Sequence, residues 1–302
     1  MKHLLSICDA ENHISQIIDL AQTLKNTNEK TYPLKDETVA LIFEKSSTRT
    51  RVSFEVGVHQ LGGQGLYLSA KELQMGRGEP ISDTAKVLSR YVDMIMIRAR
   101  KHEDVEELAQ NSTIPIINGL TDYEHPCQAF ADVLTILEYK KRFTNTKLVY
   151  MGDGNNVCNS LLLISAYLGM DMTVACPDKY QPPQKIQEKA QKIAKNTEST
   201  IIITNNIKEA LQDADVIYTD VWVSMGDEDT RDQRLKDLKP YQVNQEAIKL
   251  AKNDVIFMHC LPAIRGEEVT SEVIDGPHSV VWDQAENRLH AQKAIMQYLN
   301  QK

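Results

Sequence analysis

Short apolar runs alternate with helix-period segments along the chain, and no other feature limits its fold as much. The runs are Val39–Phe43, Leu66–Leu68, Met94–Ile97 and Ile114–Ile117, then Leu148–Met151, Thr173–Cys176, Thr200–Ile203, Val216–Thr219, Val255–Met258 and Val280–Trp282. Short, largely apolar runs of this kind are how strands buried on both faces of a parallel sheet read. The segments between them carry helical spacing. Ile14, Ile17, Ile18, Ala21 and Leu24 share one face of a first helix that Asp9 is placed to cap, and Ile81, Ala85, Leu88 and Tyr91 share another. Further helices are expected over about 52–61, 103–110, 128–139 and 157–168. Pro182-Pro183 opens another with a proline at its first position, and the last runs from about Gln284 with Leu289, Ala294, Ile295 and Leu299 inward. Strands alternating with helices define an α/β protein with parallel sheets flanked by helices.

At 302 residues the chain suits two domains of about 150 residues each, and 42% hydrophobic residues are enough to give each a core. The rhythm breaks at Lys140-Lys141-Arg142-Phe143-Thr144-Asn145-Thr146, which is polar and without period. Two Rossmann-like domains are therefore expected, residues 1–142 and 147–284, with a final helix at about 285–302 that packs back on the first. A net charge of −8 argues against nucleic-acid and acidic-membrane partners, so an anionic substrate must be drawn by a local basic site. Cys8, Cys127, Cys158, Cys176 and Cys260 are odd in number and lack a Cys-x-x-Cys pair, the pattern of reduced thiols in a cytoplasmic protein. No apolar stretch approaches the roughly 18 residues of a spanning helix, and the start turns polar too soon for a secretory signal.

Ligands in open α/β sheets sit beyond the carboxyl ends of the strands. After Val39–Phe43 comes Ser47-Thr48-Arg49-Thr50-Arg51, two guanidiniums and three hydroxyls at a strand-to-helix junction. Free backbone N–H groups and the positive end of a helix dipole make such a junction a phosphate site, and arginine grips oxygens in pairs. After other strands stand Arg98, His125-Pro126-Cys127-Gln128, Gly152-Asp153-Gly154-Asn155-Asn156, Asp220-Val221-Trp222-Val223-Ser224-Met225-Gly226 and His259-Cys260-Leu261-Pro262, with Arg288 on the last helix. Taken together they describe one cleft for a small anionic substrate. Singly they are weaker. His125 before a proline is equally a helix cap, and Cys260 equally a buried structural thiol. His259 and Cys260 are neighbours on a strand, so they point to opposite faces and form no direct nucleophilic dyad. Gly-Asp-Gly-Asn-Asn lacks the third glycine and the later acidic residue of a dinucleotide site, and the His and Cys residues lack metal-ligand spacing.

In this combination and order, Ser-Thr-Arg-Thr-Arg, His-Pro-Cys-Gln, Asp-x-x-x-Ser-Met-Gly and His-Cys-Leu-Pro resemble the aspartate/ornithine carbamoyltransferases, and among them the members that use ornithine. The resemblance runs essentially end to end. It implies an N-terminal carbamoyl-phosphate domain, a C-terminal amino-acid domain, a homotrimer or multiple of trimers, a cis peptide before Pro262, and neither cofactor nor metal. By position, Ser47, Thr48, Arg49 and Thr50 would hold the phosphate of carbamoyl phosphate, and Arg98, His125 and Thr50 would polarise its carbonyl. Gln128 and the carbonyls of Cys260 and Leu261 would bind the carbamoyl amide, Arg288 would complete the site, and Gln74 would reach a neighbouring subunit's phosphate. Asn156, Ser224 and Met225 would take the ornithine carboxylate and Asp220 its α-amine, with Cys260 beside the δ-amine. The implied reaction gives L-citrulline and phosphate, on the side of arginine biosynthesis.

Within that resemblance, substrate choice rests on Asp220 to Gly226. An aspartate-using relative needs cations for a second carboxylate, and this stretch has none. A putrescine-using relative replaces Ser-Met-Gly, because putrescine has no α-carboxylate or α-amine. It is the alternative that the motif argues against.

Overall fold

The computed structural model describes residues 1–27, 31–223 and 228–300. The chain divides into two compact units, Met1–Leu134 with Glu286–Lys302, and Thr135–Ala285. Unit 1 holds α1 (Ile14–Asn26), β1 (Thr38–Phe43), α2 (Thr48–Gln60), β2 (Gln64–Ser69), α3 (Ile81–Leu88), β3 (Met94–Arg98), α4 (His102–Asn111), β4 (Ile116–Leu120) and most of α5 (Pro126–Lys140). Its sheet is parallel in the order β2-β1-β3-β4. Ala40, Ile42, Ile95, Ile97 and Ile116 form one side of its core, against Ala85, Val105 and Leu108 of α3 and α4.

Unit 2 holds β5 (Lys147–Met151), α6 (Asn156–Leu168), β6 (Asp171–Ala175), α7 (Gln184–Thr197), β7 (Ile201–Thr204), α8 (Ile207–Leu211), β8 (Val216–Thr219), α9 (Arg231–Leu238), α10 (Gln245–Leu250), β9 (Ile256–His259) and α11 (Ser271–Ile274). Its sheet is also parallel, in the order β7-β6-β5-β8-β9, with order reversing at β5. Helix α6 is buried almost throughout, from Val157 to Ala166. The last helix, α12 (Val281–Leu299), begins in unit 2 and passes into unit 1. The α/β architecture with two parallel sheets is the one the apolar rhythm requires, and the C-terminal segment joins the N-terminal unit as expected.

Three local expectations are corrected. Val280–Trp282 is not a strand: Val280 donates to the Phe257 carbonyl at 3.0 Å, Ser279 makes a single bridge to the same residue, and α12 starts at Val281. A three-residue apolar run does not distinguish a strand from the buried entry of a helix. Asp9 does not cap α1. It closes a capping box with Ser6 around the short 3₁₀ turn Ile7–Ala10, accepting from Leu5 and Ser6 N–H at 2.8 and 2.9 Å. Pro183 is the residue before α7 and not its first, its ψ of 135° being extended.

Candidate active site

The Ser-Thr-Arg-Thr-Arg segment is itself the first turn of α2, not a loop ahead of it. Ser47 is the N-cap, with extended backbone, and its hydroxyl accepts from Thr50 N–H at 3.3 Å. The N–H groups of the first turn have no intrahelical partner, and the dipole of the 13-residue helix adds partial positive charge at the same point. A shallow depression of about 560 Å³ opens there, lined by Ser46, Ser47, Thr48, Arg51, Val52, Glu55 and Tyr67. Arg49 is half-buried and its side chain has no hydrogen-bond partner among the described residues. Arg51 is already committed: its guanidinium lies 3.7 Å from the centre of the Tyr67 ring and pairs with Glu55 at 3.1 Å.

Behind this turn two further guanidiniums meet on one hydroxyl. Arg98 Nη1 and Arg288 Nη2 each donate to Thr50 Oγ1 at 3.3 Å, and all three residues are buried. Arg98 reaches it from the end of β3, where the pairing with β4 shifts between Ile97 and Arg98 so that Arg98 faces Leu120. Irregularities of this kind re-aim a side chain at the end of a strand. Arg288 Nη1 also donates to Gln128 Oε1 at 2.6 Å, and Gln128 Nε2 donates to Asp132 Oδ1 at 2.8 Å. With its amide turned to donate to Ser53, Gln292 accepts from Arg288 Nη2 at 3.0 Å.

His125 stands just ahead of α5, and its carbonyl closes the first turn by accepting from Gln128 and Ala129. Its imidazole is buried, and burial first, then the charges of Arg288 and Arg98, hold its pKa well below the ordinary value. The ring is neutral at physiological pH, and a neutral imidazole can donate one hydrogen bond but is not a proton source. Cys127 beside it donates to the Asn118 carbonyl at 3.4 Å, and burial pushes its thiol up to about 12. Gln74 lies on the exposed 3₁₀ turn Gln74–Arg77, and its side chain has no hydrogen-bond partner among the described residues.

In unit 2 the polar residues gather at the carboxyl ends of β5, β8 and β9. Asp220 follows β8 and is buried. Its Oδ1 accepts from Val221 N–H at 2.8 Å and from the Cys260 thiol at 3.0 Å, and its Oδ2 from Asn155 Nδ2 at 2.7 Å. Asn155 is the N-cap of α6, accepting from Val157 and Cys158 N–H at 3.0 and 3.1 Å. Its part as cap and partner of Asp220 carries no signal in the sequence, because a capping Asn resembles any other Asn before a helix. Asn156, the expected ligand, opens α6 next to it and is half-exposed. Ser224 and Met225 lie outside the described residues. Cys260 is half-buried, and the peptide between Leu261 and Pro262 is cis.

His259 and Cys260 do not form a dyad. His259 Nε2 faces Glu268 Oε1 at 3.1 Å and Nδ1 accepts from Leu261 N–H at 2.9 Å, both side chains of the pair being fully buried. Asp220, His259 and Cys260 do place one ligand atom each within 4.8 Å of one another, but the bonds just described already engage all three. Arg234 of α9 donates to Asp153 at 2.9 Å and to the Trp222 carbonyl at 3.2 Å, tying the Gly-Asp-Gly turn to the stretch after Asp220. No sequence signal marked Arg234 or Glu268.

The guanidiniums and hydroxyls at the start of α2 have the chemistry to hold a phosphate-bearing anion, and the match to known proteins agrees. Residues 2–138 match the aspartate/ornithine carbamoyltransferase carbamoyl-P binding domain, and residues 144–299 match the Asp/Orn binding domain of the same family. The chain belongs to the aspartate/ornithine carbamoyltransferase family. It is 63% identical over 299 residues to an ornithine carbamoyltransferase of Methanosphaera stadtmanae, covering 99% of each chain. Among solved structures, the ornithine carbamoyltransferase of Pyrococcus furiosus superimposes with a TM-score of 0.95 at 51% identity, covering 98% of this chain and 96% of that one. The anabolic ornithine carbamoyltransferase of Campylobacter jejuni does so at 0.94 and 39%, covering 100% of both.

Proposed function

We propose that this chain transfers the carbamoyl group of carbamoyl phosphate to the δ-amine of L-ornithine, giving L-citrulline and phosphate. The observation that carries the chemistry is the convergence of Arg98 and Arg288 on Thr50 at the Ser47-capped start of α2. Ser47, Thr48, Arg49 and Thr50 hold the phosphate there. Arg98, neutral His125 and Thr50 donate to the carbonyl oxygen, where negative charge grows as the amine attacks. Removing one such preorganised donor typically costs about 10²–10³ in turnover. Gln128 accepts from the carbamoyl amide, Arg288 completes the cluster, and Cys260 and Leu261 contribute backbone carbonyl acceptors. Asp220 pairs with the α-ammonium of ornithine, Asn156, Ser224 and Met225 take its carboxylate, and Cys260 lies beside the δ-amine. Unit 1 is the carbamoyl-phosphate side and unit 2 the ornithine side, as the matched domain descriptions support.

The step is a direct displacement. The δ-nitrogen forms a bond to the carbamoyl carbon, the bond from that carbon to the phosphate oxygen breaks, and the amine proton passes to the departing phosphate. The δ-amine resembles lysine, with a pKa near about 10.4, so its deprotonation at pH 7 costs roughly 4–5 kcal/mol. The arginine-rich surroundings disfavour the ammonium and offset part of that cost.

Phosphate release measured with ornithine, putrescine and aspartate as acceptors tests the assignment. Ornithine should be the fastest by at least about 100-fold; faster release with putrescine overturns it. A cytoplasmic setting and the biosynthetic direction are part of the same proposal, in line with the free cysteines and the absence of any long apolar helix among the described residues. So is a homotrimer in which Gln74 serves a neighbour's phosphate site. Exposed Val52 and Val56 on α2 and Leu66 on edge strand β2 offer it apolar surface, and sedimentation at the mass of one 34.2 kDa chain would contradict it.

A further inference from the structure

Asp132 has no part in the functions assigned so far, yet it is fully buried, one turn beyond Gln128 on α5. A glutamine amide has a donating and an accepting end of nearly the same shape, and its orientation follows from its partners. Here both partners are one-sided. A carboxylate only accepts and a guanidinium only donates, so Nε2 must face Asp132 (2.8 Å) and Oε1 must face Arg288 (2.6 Å). Turning the amide over would set N–H against N–H at Arg288 and oxygen against oxygen at Asp132. Gln128 is 1% exposed and Arg288 4%, so water does not rescue the reversed arrangement.

The consequence concerns substrate choice. A fixed Oε1, with one lone pair on Arg288, keeps a second lone pair that asks for a donor. The amide of carbamoyl phosphate supplies an N–H. Acetyl phosphate, of the same shape with a methyl group in place of NH₂, supplies nothing and leaves that oxygen desolvated and unpaired. We infer that Asp132 is a positioning and specificity residue: by holding the donor end of Gln128 it makes the site accept an acyl phosphate bearing an NH₂ group and reject its methyl counterpart. This rests on Gln128 facing the carbamoyl amide.

Two hydrolysis-resistant probes test it, phosphonoacetamide and acetonylphosphonate, in which CH₂ replaces the bridging oxygen and NH₂ or CH₃ caps the carbonyl. Their affinities and that of inorganic phosphate are measured by calorimetry on the native protein and on Asp132→Leu, Asp132→Asn and Gln128→Leu. The native protein should prefer the amide probe by about 100-fold or more. Asp132→Leu should cut that ratio by about tenfold with phosphate affinity unchanged, and Asp132→Asn, which still offers an oxygen to Nε2, should restore most of it. If Asp132→Leu does not fold, Asp132→Ala makes the same comparison with the same expected direction. An unchanged ratio in Asp132→Leu or Asp132→Ala, while Gln128→Leu reduces it, overturns the role of Asp132 and leaves the assignment of Gln128 standing. An unchanged ratio in Gln128→Leu overturns that assignment and the inference with it.

Discussion

Arg49 and Arg51 sit two positions apart in the first turn of α2; by residue type both suit a phosphate, and only the family resemblance singles out Arg49. The structure separates them, because Arg51 is held between the Tyr67 ring and Glu55 while the Arg49 side chain has no hydrogen-bond partner among the described residues. Residue type was legible; the partner that commits a side chain came from another element and was not. The same holds for Asp220, found from its place after a strand, whose Asn155 and Cys260 donors became visible only with the fold. His125 yields a prediction at this scale. Its native ring refuses a proton because of burial, Arg288 and Arg98, whereas in the unfolded chain it titrates near 6.5. Below pH 6.5 the unfolded state therefore binds more protons, and the stability present above that pH is lost as pH falls. His3 acts with the same sign between 6.5 and about 4, through burial and Lys2 and against Asp9. His125→Gln should make the drop in unfolding free energy between pH 7.5 and 5.5 smaller by about 1 kcal/mol, measured by urea titration. An equal drop in both proteins would place the proton uptake elsewhere.

Strands were the most legible elements, since a chain segment covered on both faces has no choice but to be apolar. Element starts were less so. The first turn of α2 is polar because it is open at an anion site, so hydrophobic period placed the helix start near Val52 instead of Thr48. Val280–Trp282 failed for the opposite reason: Val280 and Val281 are apolar because they are buried at a helix entry, while Trp282 beside them is exposed. The Gly-Asp-Gly turn after β5 shows how a glycine can mimic a nucleotide motif for a packing reason. A Cβ on Gly154 would lie 2.4 Å from the Pro182 nitrogen and 2.5 Å from its Cδ, and Gly154 N–H already bonds the Tyr180 carbonyl at 2.8 Å. Gly154→Ala must therefore push apart two backbone segments and shift Asn155, the cap that holds Asp220. It should cost about 1–3 kcal/mol in thermal unfolding and raise the KM for ornithine more than that for carbamoyl phosphate. Gly266→Ala is the control. Its φ of +92° imposes backbone strain, but nothing lies within 4 Å of the added atom. If both variants melt alike and keep the same KM values, close approach is not what Gly154 is for.

At the scale of the whole chain, a net charge of −8 repels the anionic substrate that the local arginines collect, so selectivity resides in the clusters and not in the overall field. Each unit has its own parallel sheet and its own core, and each carries its own cluster: Thr50, Arg98, His125, Gln128 and Arg288 in one, Asn155, Asp220 and Cys260 in the other. Ligand stabilisation should then divide along the same line, since a ligand protects the amides whose opening would release it. Carbamoyl phosphate at about 100 times its dissociation constant adds about 2.7 kcal/mol to such openings, enough to slow exchange roughly 100-fold. Hydrogen exchange with carbamoyl phosphate alone should slow at residues 47–53, 125–132 and 288–292. Adding L-norvaline, which keeps the α-ammonium and carboxylate of ornithine but lacks the reacting nitrogen, should then slow residues 152–158 and 219–223. Protection of the Asp220 segment by carbamoyl phosphate alone, with none in the first turn of α2, would reverse the assignment of the two units, because the dianion would then be seated among carboxylate and thiol instead of among guanidiniums.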